Sequence, residues 1–142
     1  MNTSRFLISG FRFPFAAWFA RSLQEAGAQV TAIDSNRAAL SKLIAPEVPF
    51  IRLPCLRAHP QRFLEAVNRL AQQAPATRLI PMFEESFWLA RQHALGRLDP
   101  SIELFALPET LITRLPSKYE VLALAKDAGL ITPRTGVVDS VA

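Results

Sequence analysis

The 142-residue chain has one cysteine, two histidines and only five glycines. The single cysteine, Cys55, excludes an internal disulfide, and neither His59 nor His93 has a cysteine or histidine partner at the spacing of metal ligands. These residues therefore predict no metal site. They predict a buried or half-buried thiol in a reducing, cytoplasmic environment.

Long apolar runs and dense basic runs are also missing. Residues 6–20 are largely apolar, but Arg12 and Pro14 interrupt them, which disfavours a signal or transit peptide, and no apolar run approaches the roughly 20 residues that span a bilayer. The net charge of +4 comes mainly from arginines scattered from Arg5 to Arg134. Nucleic-acid binding favours charge clustered on one face, so we expect neither a nucleic-acid partner nor a membrane.

Half of the residues are apolar, which is enough for one real core, and short apolar runs alternate with amphipathic ones. This alternation predicts an α/β fold: a Rossmann-like, open, parallel five-stranded sheet of order 3-2-1-4-5 with helices on both faces. The predicted strands are 5–9, 29–33, 49–54, 77–82 and 102–107. The predicted helices are 15–27, 37–44, 60–74, 84–95, 108–115 and 118–128.

The last predicted helix has clear signals at both ends. Ser117 and Glu120 match an S-x-x-E capping box, Gly129 can adopt the left-handed conformation after the last turn, and Pro133 prevents the helix from resuming. Lys118, however, places a positive charge in the first turn, where the helix dipole disfavours it by about 0.3 to 1 kcal/mol. A solvated surface lysine and a lysine aimed at an anion both account for this residue.

Ligands of open α/β sheets bind beyond the carboxyl ends of the strands, here at the switch point between the first and fourth strands. The loop 9–15 has Gly10 in place of a G-x-G-x-x-G motif, with bulky phenylalanines around it, which disfavours an NAD site. Asp34 stands where a ribose-binding acid is expected, but we interpret it as a helix cap. Arg12 either binds a carboxylate or phosphate ligand there or is an exposed arginine beside packed phenylalanines.

The second loop at the switch point, 82–86, brings Glu84 and Glu85 to the first turn of the following helix. The helix dipole favours negative charge at this position, which explains at least one of the two acids. Two adjacent acids exceed what the dipole needs. One of them is therefore a candidate to contact a substrate amine, hydroxyl or backbone group.

Three segments, in this order and at these spacings, resemble the N-terminal region of ATP-grasp enzymes, the biotin-carboxylase and carbamoyl-phosphate-synthetase-like carboxylate-amine ligases. They are the Rossmann-like opening 5–35, the stretch LIPMFEESFWLA at 79–90, and PSKYEVLALAKDAGLITPRTG at 116–136. The last is the most specific, with a lysine at the helix start, an A-x-x-A-G-L close and a T-P-R-T exit. The resemblance covers essentially the whole chain.

The resemblance implies a pre-ATP-grasp domain over residues 1–114, with 115–142 leading into an ATP-grasp domain outside this sequence. Lys118 matches the family lysine that reaches the phosphates of ATP, and Arg12, Glu84 and Glu85 fall on the substrate side. The family phosphorylates a carboxylate with ATP and Mg²⁺, after which an amine or other nucleophile attacks the acylphosphate. ATP and Mg²⁺ are thus implied for the full-length protein, with none bound tightly to this chain, which is expected to be inactive alone.

The implied partners are a carboxylate, an amine and the missing ATP-grasp domain, and both a monomer and a homodimer stay open. Ser117 departs from the family, in which aspartate or asparagine is frequent before the lysine. Two alternatives stay open: a stand-alone Rossmann-like module that holds a small anionic ligand or nucleotide without chemistry, and an NAD-binding domain that uses Asp34.

Two expectations concern apolar side chains. The helices that follow the first and fourth strands carry aromatic residues, most of which are expected to pack in the core against the sheet. These are Trp18, Phe19, Phe87 and Trp88. Apolar surface near Leu111, Ile112 and Val121 is expected to be partly exposed, because the missing domain would dock there.

Overall fold

The computed structural model describes residues 5–37, 39–73 and 77–136. The chain divides into two compact units, Met1–Ala106 and Leu107–Ala142, while the functional boundary expected after residue 114 stays a prediction. The first unit contains β1 (Arg5–Ile8), α1 (Pro14–Glu25), β2 (Gln29–Asp34), α2 (Ala39–Ile44), β3 (Phe50–Arg52), α3 (Pro60–Gln72), β4 (Thr77–Ile80), α4 (Glu85–Ala94) and β5 (Ile102–Leu104). The second contains α5 (Glu109–Ile112) and α6 (Lys118–Asp127).

The five strands form one parallel sheet of order β3-β2-β1-β4-β5, which confirms the predicted fold class and strand order. β1 lies at the centre, with Leu7 opposite Thr31 of β2 on one side and opposite Leu79 of β4 on the other. The strands β2 and β3 therefore lie on one side of β1, and β4 and β5, which come later in the chain, lie on the other side. This reversal creates a crevice at the carboxyl ends of β1 and β4.

Successive side chains of β1 lie on opposite faces of the sheet, because side chains alternate along a strand. Leu7 joins a core cluster with residues of α3 and α4, whereas Ile8 joins a separate cluster with residues of α1. The first cluster comprises Leu7, Ile33, Leu53, Phe63, Leu64, Val67, Leu70, Ala71, Leu79, Leu89, Leu98 and Ile102. The second comprises Ile8, Phe11, Ala16, Ala17, Ala20, Val30, Ala32, Ala45 and Val48.

The helix α1 faces the sheet with small residues rather than with its aromatic ones. Ala16, Ala17 and Ala20 are fully buried, whereas Trp18 is 57% exposed and Phe19 38% exposed. The expectation that Trp18 and Phe19 pack in the core is therefore wrong. At 3.6 residues per turn the three alanines share one stripe, and the aromatic residues fall on the opposite one.

The aromatic residues of α4 are placed differently. Trp88 is half-buried, packs against the first core cluster and meets the Phe63 ring edge-on, with the ring centroids 6.1 Å apart. Phe87 is also half-buried. The expectation of core packing thus holds for Trp88, because α4 lies on the face of the sheet that α3 also covers.

In the second unit, only half of the predicted capping box at the start of α6 forms. The Ser117 hydroxyl accepts a hydrogen bond from the Glu120 backbone N–H at 3.3 Å, as predicted. The Glu120 carboxylate, however, pairs with the Arg114 guanidinium, whose Nη2 lies 2.8 Å away. The backbone N–H of Ser117 instead donates to the Arg114 carbonyl at 3.2 Å, so the cap is completed by the preceding turn.

The expected exposure near the start of the second unit is found in part. Val121 is 38% exposed, whereas Ile112 is only 5% exposed. Leu111 is half-buried. The expectation is therefore met at Val121 and wrong at Ile112.

Candidate ligand-binding site

A crevice with a volume of about 690 Å³ opens at the carboxyl edge of the sheet in the first unit. Its walls come from the loops after β1, β2, β3 and β4, together with the first turns of α3 and α4. It lies where a parallel sheet of this strand order places its ligands. The lining residues are Ser9, Gly10, Arg12, Phe13, Ile33, Asp34, Ser35, Cys55, Leu56, Arg57, Pro60, Phe63, Phe83, Glu84, Glu85 and Trp88.

Among the described residues, Glu85 is one of two buried acids that line the crevice; the other is Asp34. The Ser9 hydroxyl donates a 2.6 Å hydrogen bond to Glu85 Oε1, and both residues are less than a tenth exposed. Glu85 is the first residue of α4, so the helix dipole also favours its negative charge. Across 5–37, 39–73 and 77–136, no residue donates a hydrogen bond to Glu85 Oε2. That oxygen is available to a ligand.

Glu84 precedes Glu85 but differs from it in exposure and in hydrogen bonding. It also lines the crevice, but it is exposed, and it occupies the N-cap position of α4 without a side-chain capping bond. The two acids that sequence reasoning could not separate are thus distinguished by the fold. One is buried and hydrogen-bonded, and the other faces solvent at the rim.

Gly10 allows the loop after β1 to pass directly beside Glu85. Its φ angle is +72°, which L side chains rarely adopt, and a Cβ at this position would lie 2.9 Å from Glu85 Oε1. The absence of a side chain at Gly10 therefore leaves room for the Glu85 carboxylate. Because this part of the loop is occupied by Glu85, it does not offer the bare backbone that a pyrophosphate cradle needs.

Arg12 and Asp34 form an ion pair on the other side of the same loop. The Asp34 carboxylate accepts hydrogen bonds from the Arg12 backbone N–H at 2.9 Å, from Arg12 Nε at 3.1 Å and from the Asn36 N–H at 3.0 Å. The helix-cap interpretation of Asp34 is therefore wrong, because α2 begins only at Ala39 and its backbone is not what Asp34 binds. Both carboxylate oxygens are also engaged, which leaves neither free for a ribose.

Arg12 itself combines the two alternatives that its sequence position left open. Its side chain is 40% exposed and lies beside the Phe13 ring, with Cζ 5.7 Å from the ring centroid. It binds a carboxylate, but the carboxylate belongs to Asp34 of the same chain. Among the residues that the structure describes, the Arg12 guanidinium is bound only through Nε, so its terminal nitrogens can still meet a ligand in the crevice.

Cys55 and Arg57 line the crevice, and sequence reasoning missed both as site residues. Cys55 is exposed, so the expectation of a buried or half-buried thiol is wrong. Backbone hydrogen bonds from Ala58 and Arg57 lower the pKa of the thiol, desolvation opposes them, and the Ser35 side chain and the charge of Arg12 add to the lowering. Their position in the chain could have indicated them, because both residues follow β3 at the carboxyl edge of the sheet.

We expect the alkylation of Cys55 by iodoacetamide to reach half of its maximal rate at a lower pH in the folded chain than in the same chain unfolded in urea. The thiolate is the reactive form, and the hydrogen bonds that favour it exist only in the fold. The measurement is the alkylation rate against pH by mass spectrometry. Identical profiles in the two states would contradict the lowered pKa.

Lys118 lies in the second unit, as the first residue of α6. It is exposed and lines an apolar groove of about 460 Å³ together with Leu115, Val121, Leu122, Pro133 and Thr135. A cation at a helix N-terminus can contact a phosphate, since the free N–H groups of the first turn favour the same anion. Its role in ATP binding stays a prediction.

Two further features concern residues 5–37, 39–73 and 77–136. Within them, no three His, Cys, Asp or Glu side chains come close enough together to hold a metal ion. No helix in the same ranges has the length and apolarity needed to cross a bilayer.

No family model matches the chain, and no curated protein matches it. Among solved structures, an L-amino acid ligase from Bacillus licheniformis matches with a TM-score of 0.60 and 18% sequence identity. The match covers 94% of this chain and 32% of the ligase chain, so this chain spans about a third of the ligase's length. At this identity the likeness concerns the fold. The chain shares its fold with part of an L-amino acid ligase.

Proposed function

We propose that this chain is the substrate-side, pre-ATP-grasp domain of an ATP-dependent carboxylate-amine ligase that acts through an acylphosphate. The observation that carries the proposal is the fold shared with an L-amino acid ligase over 94% of the chain. The three segments that resemble ATP-grasp enzymes support it independently. The ATP-grasp domain itself is part of the proposal and lies outside this sequence, and the chain alone is inactive and cytoplasmic.

The crevice supplies groups that suit an amine-bearing substrate. Glu85 Oε2 can accept a hydrogen bond from an ammonium or hydroxyl group, while Ser9 holds the other carboxylate oxygen in place. Phe63 and Trp88 provide an apolar wall, and Arg57 provides a positive charge. In this proposal the crevice binds and orients a substrate, and orientation accounts for much of the catalysis in such reactions.

Lys118 is the only residue to which we assign an ATP contact. Its position at the N-terminus of α6 fits a phosphate group. The described residues offer no three-carboxylate or histidine cluster, so in this proposal magnesium is held by the ATP-grasp domain. When bound, ATP supplies the phosphoryl group that activates the carboxylate, and Mg²⁺ neutralises the phosphate charge.

The role of Glu85 is tested by titrating the chain with L-amino acids, using calorimetry and thermal shift. We expect saturable binding that is weakened about tenfold or more by Glu85→Gln, because a charge-assisted hydrogen bond contributes about 1.5 to 3 kcal/mol. Glutamine keeps an oxygen for the Ser9 hydroxyl and so preserves the local fold.

The matched control is Glu84→Gln. It removes the same charge from the neighbouring residue, which is exposed. We expect it to weaken binding severalfold less, since exposed charges are screened. Equal losses in the two variants, or no binding of any amino acid, would remove Glu85 from the substrate site.

The role of Lys118 is tested with ATP on the isotopically labelled chain. We expect weak, millimolar binding that shifts the backbone amide signals at the start of α6 and that disappears in Lys118→Ala. Lys126→Ala is the control, because Lys126 lies in the last turn of the same helix, where the dipole does not attract anions. ATP-induced shifts that survive Lys118→Ala would refute the assignment.

A second candidate function is a binding module for a small anionic ligand or nucleotide without chemistry. The observation that favours it is the presence of two arginines, Arg12 and Arg57, on the crevice wall. Submicromolar binding of pyrophosphate or AMP, lost in Arg12→Ala and unaffected by Glu85→Gln, would favour this function over the ligase.

A further inference from the structure

A strip of aromatic side chains, all exposed except the half-buried Phe13, runs from the rim of the crevice along the outer face of α1. The Phe13 ring lies 4.5 Å from that of Phe83 and 5.5 Å from that of Phe15, measured between centroids. Trp18 and Phe19 follow Phe15 by three and four residues and so share its face of the helix. We call these five residues the aromatic ridge. It is independent of the ligase proposal.

The exposed apolar area of the ridge approaches the apolar area that a stable protein interface takes from one partner. Phe15 and Phe83 are each 46% exposed, Trp18 57% and Phe19 38%. With about 150 to 250 Å² per aromatic side chain, these fractions leave roughly 400 Å² of apolar surface in water. A standard interface takes about 800 Å² from each partner, of which roughly 500 Å² is apolar. The ridge alone provides most of that apolar area.

The charges around the ridge permit it to face a copy of itself. Close to a two-fold axis a residue meets its own copy, so an unpaired charge there would repel itself. Residues 13–20 carry no charged side chain. The arginines at the two ends are both paired, Arg12 with Asp34 at 3.1 Å and Arg21 with Glu25 at 2.9 Å. The α1 part of the ridge is therefore electrically neutral, and the exposed Glu84 beside Phe83 places a charge at the crevice end only.

The same pairing disfavours a membrane as the occupant. A helix that binds a bilayer surface presents several lysines or arginines on its polar face to anionic lipids. The only basic residue within α1 is Arg21, which is engaged by Glu25 and lies 5.9 Å from the Trp18 ring centroid. Arginine beside exposed tryptophan is instead a combination enriched at the energetic centres of protein interfaces.

We propose that the chain forms a symmetric homodimer in which the aromatic ridges of two copies pack against each other. The α1 helices lie across the two-fold axis, with Trp18 and Phe15 at the centre of the interface. Because Phe13 and Phe83 belong both to the ridge and to the crevice wall, the second copy borders the mouth of the crevice.

The test is the molar mass of the chain in solution, measured by sedimentation equilibrium from about 1 to 200 µM. We expect a reversible monomer–dimer equilibrium for the natural sequence, starting from the 15.8 kDa monomer. Trp18→Arg and Phe15→Arg should each weaken dimerisation at least tenfold, since each places two like charges across the axis. Leu43→Arg is the control, because Leu43 is 80% exposed on α2, outside the ridge.

Several outcomes overturn the proposal. They are a monomer at all concentrations, a dimer that survives both ridge variants when circular dichroism shows them folded, and a dimer that Leu43→Arg disrupts equally. Sedimentation of a monomeric chain with vesicles of phosphatidylcholine and phosphatidylserine would assign the ridge to a membrane instead. If one ridge variant fails to fold, the milder Phe15→Ser replaces it, with the same expected direction.

Discussion

Replacing Gly10 by alanine is expected to lower the free energy of unfolding by about 2 to 5 kcal/mol. The positive φ of +72° costs an L residue about 1 to 2 kcal/mol. The added Cβ would also lie 2.9 Å from Glu85 Oε1, so the carboxylate must move away from the Ser9 hydroxyl. Losing a buried hydrogen bond of this kind costs a further 1 to 3 kcal/mol or so. Urea denaturation of the chain measures the sum.

Gly96→Ala separates the two contributions to the Gly10 result. Gly96 has a similar φ of +66°, but nothing lies within 4 Å of its hypothetical Cβ. Only the conformational cost of about 1 to 2 kcal/mol should remain there. Ser9→Ala combined with Gly10→Ala should be less than additive, because both changes act on one hydrogen bond. Equal losses of stability for Gly10→Ala and Gly96→Ala would mean that the Glu85 carboxylate can move away from the new Cβ without lowering the free energy of unfolding.

Replacing Asp34 by alanine is expected to cost about 3 kcal/mol of stability. Its fully buried carboxylate accepts hydrogen bonds from the Arg12 N–H, the Arg12 guanidinium and the Asn36 N–H. Removing it leaves two backbone donors without their acceptor and a cation without its partner, and breaking a buried pair costs about 3 to 5 kcal/mol. The partial exposure of Arg12 places the expected loss at the lower end of that range.

Glu25→Ala is the matched control for Asp34→Ala, again read from urea denaturation. Both acids pair with an arginine Nε, at 3.1 Å for Asp34 and 2.9 Å for Glu25, but the Glu25 side chain is 65% exposed. An exposed pair contributes at most about 1 kcal/mol. Asp34→Asn, which keeps one acceptor oxygen, should fall between the two. If Asp34→Ala were as mild as Glu25→Ala, the ion pair would have no structural role in the loop.

The strand order was predictable because its causes are local. Each strand is a short apolar run, each crossover helix has its own periodicity, and right-handed crossovers leave few ways to connect them. The cap of α6 was predictable for the same reason, since Ser117 and Glu120 are three residues apart. The capping box was only half right because Arg114, three residues earlier, competes for the Glu120 carboxylate.

The contacts of the crevice were not predictable in detail, because they join residues that are distant in the chain. Ser9 and Glu85 are 76 residues apart, and Arg12 and Asp34 are 22 apart. The sequence indicated the loops that matter, since the carboxyl ends of parallel strands meet at one edge. It could not tell that Glu85 turns inward while Glu84 turns outward.

The sequence by itself determined the α/β fold, the order of the sheet and the edge at which the crevice opens, because periodicity and chain connectivity act over short distances. Only the tertiary structure decided which side chains meet. The close approach of α1 to the sheet buries Ala16, Ala17 and Ala20, and so leaves Trp18 and Phe19 in solvent. The packing of two loops against each other places Gly10 beside Glu85. Such choices depend on space and charge supplied by distant segments, which no local pattern contains.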